Sequence, residues 1–300
     1  MLTGIHILLT YKCTHKCDHC FLYSGPDVQG TMTLPMVRSV LQQAKEIDTV
    51  EWIFFEGGEP FLFYPSLIEG VRLARNHGFK VGIVTNCYGA LSEEDAEIWL
   101  QPLADLGVSY LSVSDDAFHY EAENNPAKIG LKVAGKLGIS TSSISIQEPT
   151  IESGSDHDQQ KGTPIIGGGV KFRGRAVEKL TPGLPAKSRH EFIQCPYEDL
   201  RSPSRVHIDC YGHVHLCQGV AMGNIWKKPL SSLLLEYDAD AHPICGPLLK
   251  GGPDLLAYQY NVAVEDQYVD ECHLCFIARR ALVDSFPEYL TPKQVYGLPD

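Results

Sequence analysis

The chain has 300 residues, 44% of them hydrophobic, and its 25 basic and 37 acidic side chains give a formal charge of −12. This is enough apolar chain for packed cores, which excludes wholesale disorder, and the acidic balance offers no overall basic footprint for nucleic acid. No run approaches the roughly 20 apolar residues of a membrane span, and the start MLTGIHILLTYKC lacks a basic n-region and a cleavage site, so the expectation is an unexported, cytoplasmic protein with neither membrane nor nucleic acid as partner.

Over the first 180 residues, short runs rich in Val, Ile, Phe or Ser/Thr alternate with helical patterns. Strands are predicted at 5–10, 50–55, 80–85, 109–114 and 139–146. A first helix follows Thr33 as N-cap, with Val37, Val40, Leu41, Ala44 and Ile47 on one face; a second follows Pro65 and ends at Gly78. A third begins at Ser92 with Glu93, Glu94 and Asp95 in its first turn, and a fourth runs from Pro126 to Gly138. Repeated β-α units imply a parallel sheet with crossover helices, either open and doubly wound or a full or partial barrel. Residues 151–169 are polar and glycine-rich and read as a loop, 170–172 as a sixth short strand, and 181–189 as a linker. Beyond it the β-α rhythm is lost: a hairpin turning at Tyr211-Gly212 leads into loops carrying Pro, Gly and Cys.

In an unexported chain, ten cysteines point to metal ligation or catalysis rather than disulfides. Cys13, Cys17 and Cys20 lie just after the first strand. Three thiolates in one loop can hold three irons of a cubane and leave the fourth open to a small molecule; with His15 or His19 the same loop could instead close around zinc. The second strand runs into Glu56-Gly57-Gly58-Glu59-Pro60, at the strand end where β/α active sites gather. Its glycines permit close backbone approach to a ligand, and Glu59 offers a carboxylate to a cationic amine, although an isolated GGEP is also an ordinary turn.

Together the three-cysteine loop and the GGEP motif resemble the radical S-adenosylmethionine (radical SAM) superfamily, over about residues 4 to 180. The resemblance implies an α/β fold, an open partial (β/α)6 TIM-like barrel, with Cys13, Cys17 and Cys20 binding a [4Fe-4S] cluster whose open iron takes the amino and carboxylate groups of SAM. It also implies reductive cleavage of SAM to a 5′-deoxyadenosyl radical that abstracts hydrogen from a substrate C–H, with electrons from a flavodoxin- or ferredoxin-type donor. By the same resemblance Gly57, Gly58, Glu59 and Pro60 form the site for the methionyl amine, and Thr85, Asn86, Ser112 and Ser114 lie on the SAM- and substrate-facing rim. Arg173, with Arg175, is a basic partner for the SAM carboxylate or a substrate anion, or else a solvated turn. Two positions depart from the family pattern. His19 stands where an aromatic residue is common, and Cys87 replaces a glycine, its thiol facing the cavity or simply buried.

Cys195, Gly212 through Cys217, Gly223-Asn224-Ile225 and Cys272-x-x-Cys275 resemble the auxiliary-cluster extension, SPASM or its short form twitch, that follows many such cores. This implies a radical SAM core at 1–185 and an auxiliary iron-sulfur domain at 186–300, with one further [4Fe-4S] cluster on Cys195, Cys217, Cys272 and Cys275. A four-thiolate zinc ribbon is the alternative. Cys87, Cys210 and Cys245 remain; Cys210, on the hairpin opposite Cys217, is a candidate replacement for Cys195 or a hydrogen-atom donor, with a structural role as the default. Asp115, grouped with Asp116 and His119, is a candidate base. His207, His213 and His215 are read as a solvated strand face, with supporting donors to cluster or substrate as the alternative. The expected substrate is a ribosomally made peptide that is oxidised, cross-linked or epimerised. With no room before the first strand for a peptide-binding domain, the expectation is a separate recognition protein or direct capture of the peptide. The alternatives are dehydrogenation of a small alcohol such as an aminocyclitol, a glycyl-radical activase, and a non-catalytic iron-sulfur or zinc scaffold.

Overall fold

The β-branched and aromatic runs of the first half form five parallel strands: β1 (Gly4–Thr10), β2 (Trp52–Gly57), β3 (Lys80–Thr85), β4 (Tyr110–Ser114) and β5 (Ser140–Ile144). A computed structural model describes residues 1–121, 125–153 and 164–299. Crossover helices α1 (Leu34–Lys45), α2 (Tyr64–Asn76), α3 (Glu93–Asp105) and α4 (Pro126–Lys136) connect the strands. The start of α3 follows the expected capping chemistry, the Ser92 hydroxyl accepting from Asp95 N at 3.0 Å; α4 is capped by the Asn125 side-chain oxygen, which accepts from Ala127 N at 3.0 Å. Val37, Val40, Leu41 and Ala44 form the buried stripe of α1.

Later strands and helices depart more from expectation. The segment 151–169 is not all loop, since β6 (Ile151–Ser153) and β7 (Pro164–Ile166) pair antiparallel; residues 154–163 lie outside the described residues. Residues 170–172 form no strand. Phe172 packs instead with Ala176 and Val269 in a small separate cluster, which draws this segment off the sheet towards α5 (Arg175–Lys179). The presumed linker carries β8 (Lys187–Ser188), which is paired to β12 (Gln267–Tyr268).

The sixth parallel strand comes from the C-terminal hairpin, β9 (Arg205–Ile208) and β10 (His213–Cys217), continued by β11 (Val220–Asn224). β9 pairs parallel to the free edge of β1, giving the order β11-β10-β9-β1-β2-β3-β4-β5 in one open sheet. Beyond it, α6 (Leu230–Glu236), α7 (Cys245–Gln259) and α8 (Glu271–Leu282) occupy stretches expected to be loops. Gly251, Gly252 and Pro253 kink α7 and mask its pattern in the sequence, while Asp270 caps α8 by accepting from His273 N at 2.7 Å. A single apolar core extends from Leu2 to Tyr296. No helix among the described residues is long and apolar enough to cross a membrane.

The hairpin is fastened to β1 through Asp209. This buried carboxylate accepts from Tyr11 Oη (2.9 Å), His213 Nδ1 (3.0 Å), His215 Nε2 (3.1 Å) and the backbone N–H groups of Tyr211 (3.0 Å) and His213 (2.9 Å). The imidazoles are therefore not a solvated face, since His215 is fully buried. Burial alone would raise the Asp209 pKa, but the hydrogen bonds from His213 and His215 outweigh it and hold the carboxyl well below its usual range. Asp209→Asn should lower stability by about 3–5 kcal/mol in urea melts at pH 7. Because the folded pKa lies well below the ordinary 3.8, that contribution is present above 3.8 and is lost progressively as pH falls from there through the folded value, so the gap between variant and wild type should narrow over that range.

Candidate functional site

The cysteine loop begins where β1 ends and is held against the end of β2 by backbone alone. Gly58 N donates to Thr10 O at 2.7 Å and Glu59 N to Lys12 O at 2.9 Å. A Cβ at Gly57 would lie 2.3 Å from Thr10 O, and one at Gly58 2.1 Å from Lys12 O, so the two glycines are required by this contact as well as lining the cavity beside it. Glu59 is fully buried. Its carboxylate accepts from Phe61 N (2.9 Å), Thr85 Oγ1 (2.8 Å) and Asn86 N (2.7 Å), which ties the end of β2 to that of β3. Burial pushes the Glu59 carboxyl up to about 7 against these donors. Glu59 and the buried Pro60 after it stand behind the cavity wall, not on it.

Of the expected site residues, Cys13, Cys17, Cys20, Gly57, Gly58, Thr85, Asn86, Ser112, Ser114 and Arg173 all line one cavity of about 500 Å³, within the range of small-molecule sites. Asn86 Nδ2 donates to Thr14 Oγ1 at 3.0 Å and approaches Cys13 Sγ at 3.7 Å. Burial raises the Cys13 thiol to about 11 and Cys17 further, so they stay protonated at neutral pH until a metal displaces the protons. Burial also lowers His19 to about 4, leaving its cavity-lining ring neutral beside Phe118 at 4.7 Å.

The FRGRA segment divides its two arginines. Arg175 faces no ligand: its guanidinium donates to Cys17 O (2.6 Å) and Ser24 O (2.7 Å), and its backbone N to Cys20 O (3.0 Å). It straps the cysteine loop. Gly174, at φ +62°, lies so close that a Cβ would come within 2.4 Å of Phe21 Cα. Arg173 instead lies on the cavity wall over the Phe21 ring (4.8 Å), with Nη1 3.2 Å from Cys217 Sγ and 3.6 Å from Glu198.

Cys217 ends β10 and shares the cavity wall, while Cys272 and Cys275 lie in the first turns of α8. One turn on, the buried Arg279 donates to Gln218 O (2.8 Å) and Cys275 O (3.3 Å), and no carboxylate of the described residues pairs with it. Burial would lower its pKa, but Cys275, Tyr296, Cys217 and Cys272 around it outweigh that effect. Cys195 is within electrostatic reach of Cys275, as is Cys245 at the start of α7, which burial raises to about 12. The lone spacing of Cys245 gave no sign of this in the sequence.

Two expectations are corrected, and Cys87 takes the simpler of its two readings. Cys210 is buried away from the cavity, against Gly30, and burial raises its thiol to about 12, so it is placed neither to donate a hydrogen atom there nor to replace Cys195. Asp115 is off the cavity wall and accepts from Asn125 Nδ2 at 2.6 Å, while Asp116 is engaged by His119 Nδ1 at 2.7 Å. Cys87 is buried in the core. His6 and Glu56 carry no role in the sequence reading, yet with His207 they line the same cavity, His6 Nδ1 3.0 Å from Glu56 Oε2 and His207 Nε2 3.1 Å from Glu56 Oε1. Their signal was present: polar residues at the inward phase of otherwise apolar strands.

Residues 7–145 match the family model of the radical SAM superfamily. The chain is 21% identical over 263 residues to YydG of Bacillus subtilis (strain 168), whose name assigns it provisionally to peptide biosynthesis; the match covers 87% of this chain and 75% of that protein. It is 30% identical over 132 residues to the tungsten-containing aldehyde ferredoxin oxidoreductase cofactor-modifying protein of Pyrococcus furiosus, covering 44% of this chain and only 35% of that one. Among solved structures, BtrN in complex with AdoMet and 2-DOIA has the same fold, with a TM-score of 0.53 at 18% identity over 79% of this chain and 83% of that one. The radical SAM family match over residues 7–145 implies a [4Fe-4S] cluster and SAM, and the three cavity-facing thiols with an adjoining glycine edge suit both.

Gly174→Ala should push the cysteine loop outward. In the iron-free protein the expected outcome is faster labelling of Cys13, Cys17 and Cys20 by a thiol reagent, by about tenfold, with stability lowered by about 1–3 kcal/mol.

Proposed function

We propose a function from one premise: the chain is a radical SAM enzyme, with residues 7–145 its family domain. Cys13, Cys17 and Cys20 hold the [4Fe-4S] cluster, and SAM lies along Gly57, Gly58, Thr85, Asn86, Ser112 and Ser114, with Arg173 as the cation for its carboxylate. Bound there, cluster and SAM supply a 5′-deoxyadenosyl radical able to take hydrogen from a substrate C–H. The protein's own part is positional. Arg175 and the glycine contact fix the loop, Glu59 fixes the β2 and β3 ends, and the half-enclosed cavity limits water around the reacting atoms.

The observation that carries this reading is that all three thiols, the glycine edge and Cys217 face one cavity. We assign Cys195, Cys217, Cys272 and Cys275, in a domain at 186–300, to an auxiliary cluster. Arg279 supports the assignment: a buried guanidinium without a carboxylate needs a counter-charge, and metal-bound thiolates supply one. A cubane is preferred to zinc because the Gly223-Asn224-Ile225 landmark and the preceding core resemble the auxiliary-cluster extension.

The preferred substrate is a ribosomally made peptide, supported by the match to YydG across most of the chain, with a flavodoxin- or ferredoxin-type reductant and a separate recognition protein as partners. A small-molecule alcohol is the second reading. It is favoured by the polar cavity floor, where Glu56 lies between two imidazoles and Ser112 Oγ meets Ser142 Oγ at 3.0 Å.

Anaerobic reconstitution should load about 8 iron atoms per chain, four for each of two cubanes. SAM and dithionite should then give 5′-deoxyadenosine. Replacing Cys13, Cys17 and Cys20 with Ala should abolish cleavage and leave about four irons with their absorbance. An iron-free product, or no 5′-deoxyadenosine from a loaded enzyme, overturns the reading; loss of both clusters together overturns the division of ligands.

A further inference from the structure

His6, Glu56 and His207 stand on β1, β2 and β9, three adjacent strands of the sheet, and all line the cavity. Interior layers of β/α barrels are usually branched and apolar, so a carboxylate between two imidazoles is a departure that needs a cause. Each Glu56 oxygen meets one ring: Oε2 lies 3.0 Å from His6 Nδ1, and Oε1 lies 3.1 Å from His207 Nε2. No lysine or arginine of the described residues pairs with it. Burial alone would raise the Glu56 pKa, but the two imidazoles outweigh it and hold the carboxyl far below its usual range, so it is ionised.

An ionised carboxylate only accepts, which fixes both tautomers. His6 carries its proton on Nδ1 and His207 on Nε2. The other nitrogen of His207, Nδ1, is sealed from solvent and has no partner. In the neutral ring this leaves Nε2 of His6 as the free acceptor, on a side chain that keeps 18% of its surface open and lines the cavity. Its ring is clamped by stacking on Phe54 (4.6 Å, 14°) and by His207 at 4.8 Å.

The three donor atoms also lie close enough together to suit a metal ion. Two features oppose that use. Each imidazole addresses its own carboxylate oxygen, and His207 Nδ1 lacks the second hydrogen-bond partner that a metal-bound histidine almost always has.

We propose that His6 is the acceptor for a proton from a hydroxyl or ammonium group of the substrate, with Glu56 and His207 as positioning residues. The substrate O–H or N–H bond breaks, its electron pair stays on the oxygen or nitrogen, and the proton bonds to Nε2. Glu56 stabilises the imidazolium that results. The proposal rests on the cavity being the substrate site, and it narrows the substrate to one presenting a protic group at the floor, whether a peptide side chain or a small alcohol.

The first three measurements use the full chain without SAM or reductant, so they stand apart from the radical chemistry, and a turnover assay follows them. Two-bond ¹H–¹⁵N spectra of ¹⁵N-histidine protein, assigned with His6→Gln, should show His6 bare at Nε2. Diethyl pyrocarbonate should acylate His6 at least tenfold faster than His207. Glu56→Gln must present its NH2 to one of the rings and should therefore move the bare nitrogen in at least one of them. In turnover, product formed per 5′-deoxyadenosine should fall at least a hundredfold in His6→Gln. A His6 that is bare at Nδ1 or inert to acylation, tautomers unmoved by Glu56→Gln, or an unchanged product ratio would each overturn the proposal. So would a Co²⁺ absorption band that is present in the wild type and absent in His6→Gln, which would make the triad a metal site.

Discussion

The backbone of Gly57 and Gly58 lies against Thr10 and Lys12 with no space for a single Cβ, and the geometry around the cavity depends on that contact. It fixes where the cysteine loop leaves β1 relative to the end of β2. Glu59 passes the constraint on to β3 through Thr85 and Asn86, and Asn86 returns it to the loop through Thr14. From the other side Arg175 takes up the carbonyls of Cys17 and Ser24. Three thiols are thus held towards one space by groups that never enter it. Such support is what lets a site on a loop keep the precision of one on a strand.

Electrostatics around the thiols follow from burial. Cys13, Cys17, Cys272 and Cys275 all have raised pKa values, so these four are neutral as free thiols and become anionic only when a metal binds. Arg173 and Arg279 stand beside the second group as charges already in place. Arg173 also borders the cavity, so one guanidinium lies between the two groups of ligands proposed above.

Much of this was legible in the sequence because local chemistry set it. Strands β1 to β5 and helices α1 to α4 follow from apolar period and from a cap such as Ser92, and the three cysteines with GGEP named the cavity. What was not legible depended on contacts between distant segments. Nothing local says that β9 joins β1, that Phe172 prefers Val269 to the sheet, or that Arg175 turns to the Cys17 carbonyl while its neighbour Arg173 turns to Cys217. Glu59 was expected to meet a ligand and meets backbone donors instead. His6 and Glu56 were overlooked because an apolar strand hides its inward polar residues until the partner strand is known.

The pairing of β9 with β1 bears on how the chain can be divided. β1 is the most thoroughly apolar strand of the sheet, with Ile5, Ile7, Leu8 and Leu9 buried, and without β9 it would present a long unpaired edge. A fragment ending at residue 185 would expose that edge, lose the Asp209 anchor of Tyr11, and lack one wall of the cavity. Whatever boundary evolution once drew between core and extension, the two now share one sheet. Neither can be exchanged among relatives as a module without supplying a new strand for that edge.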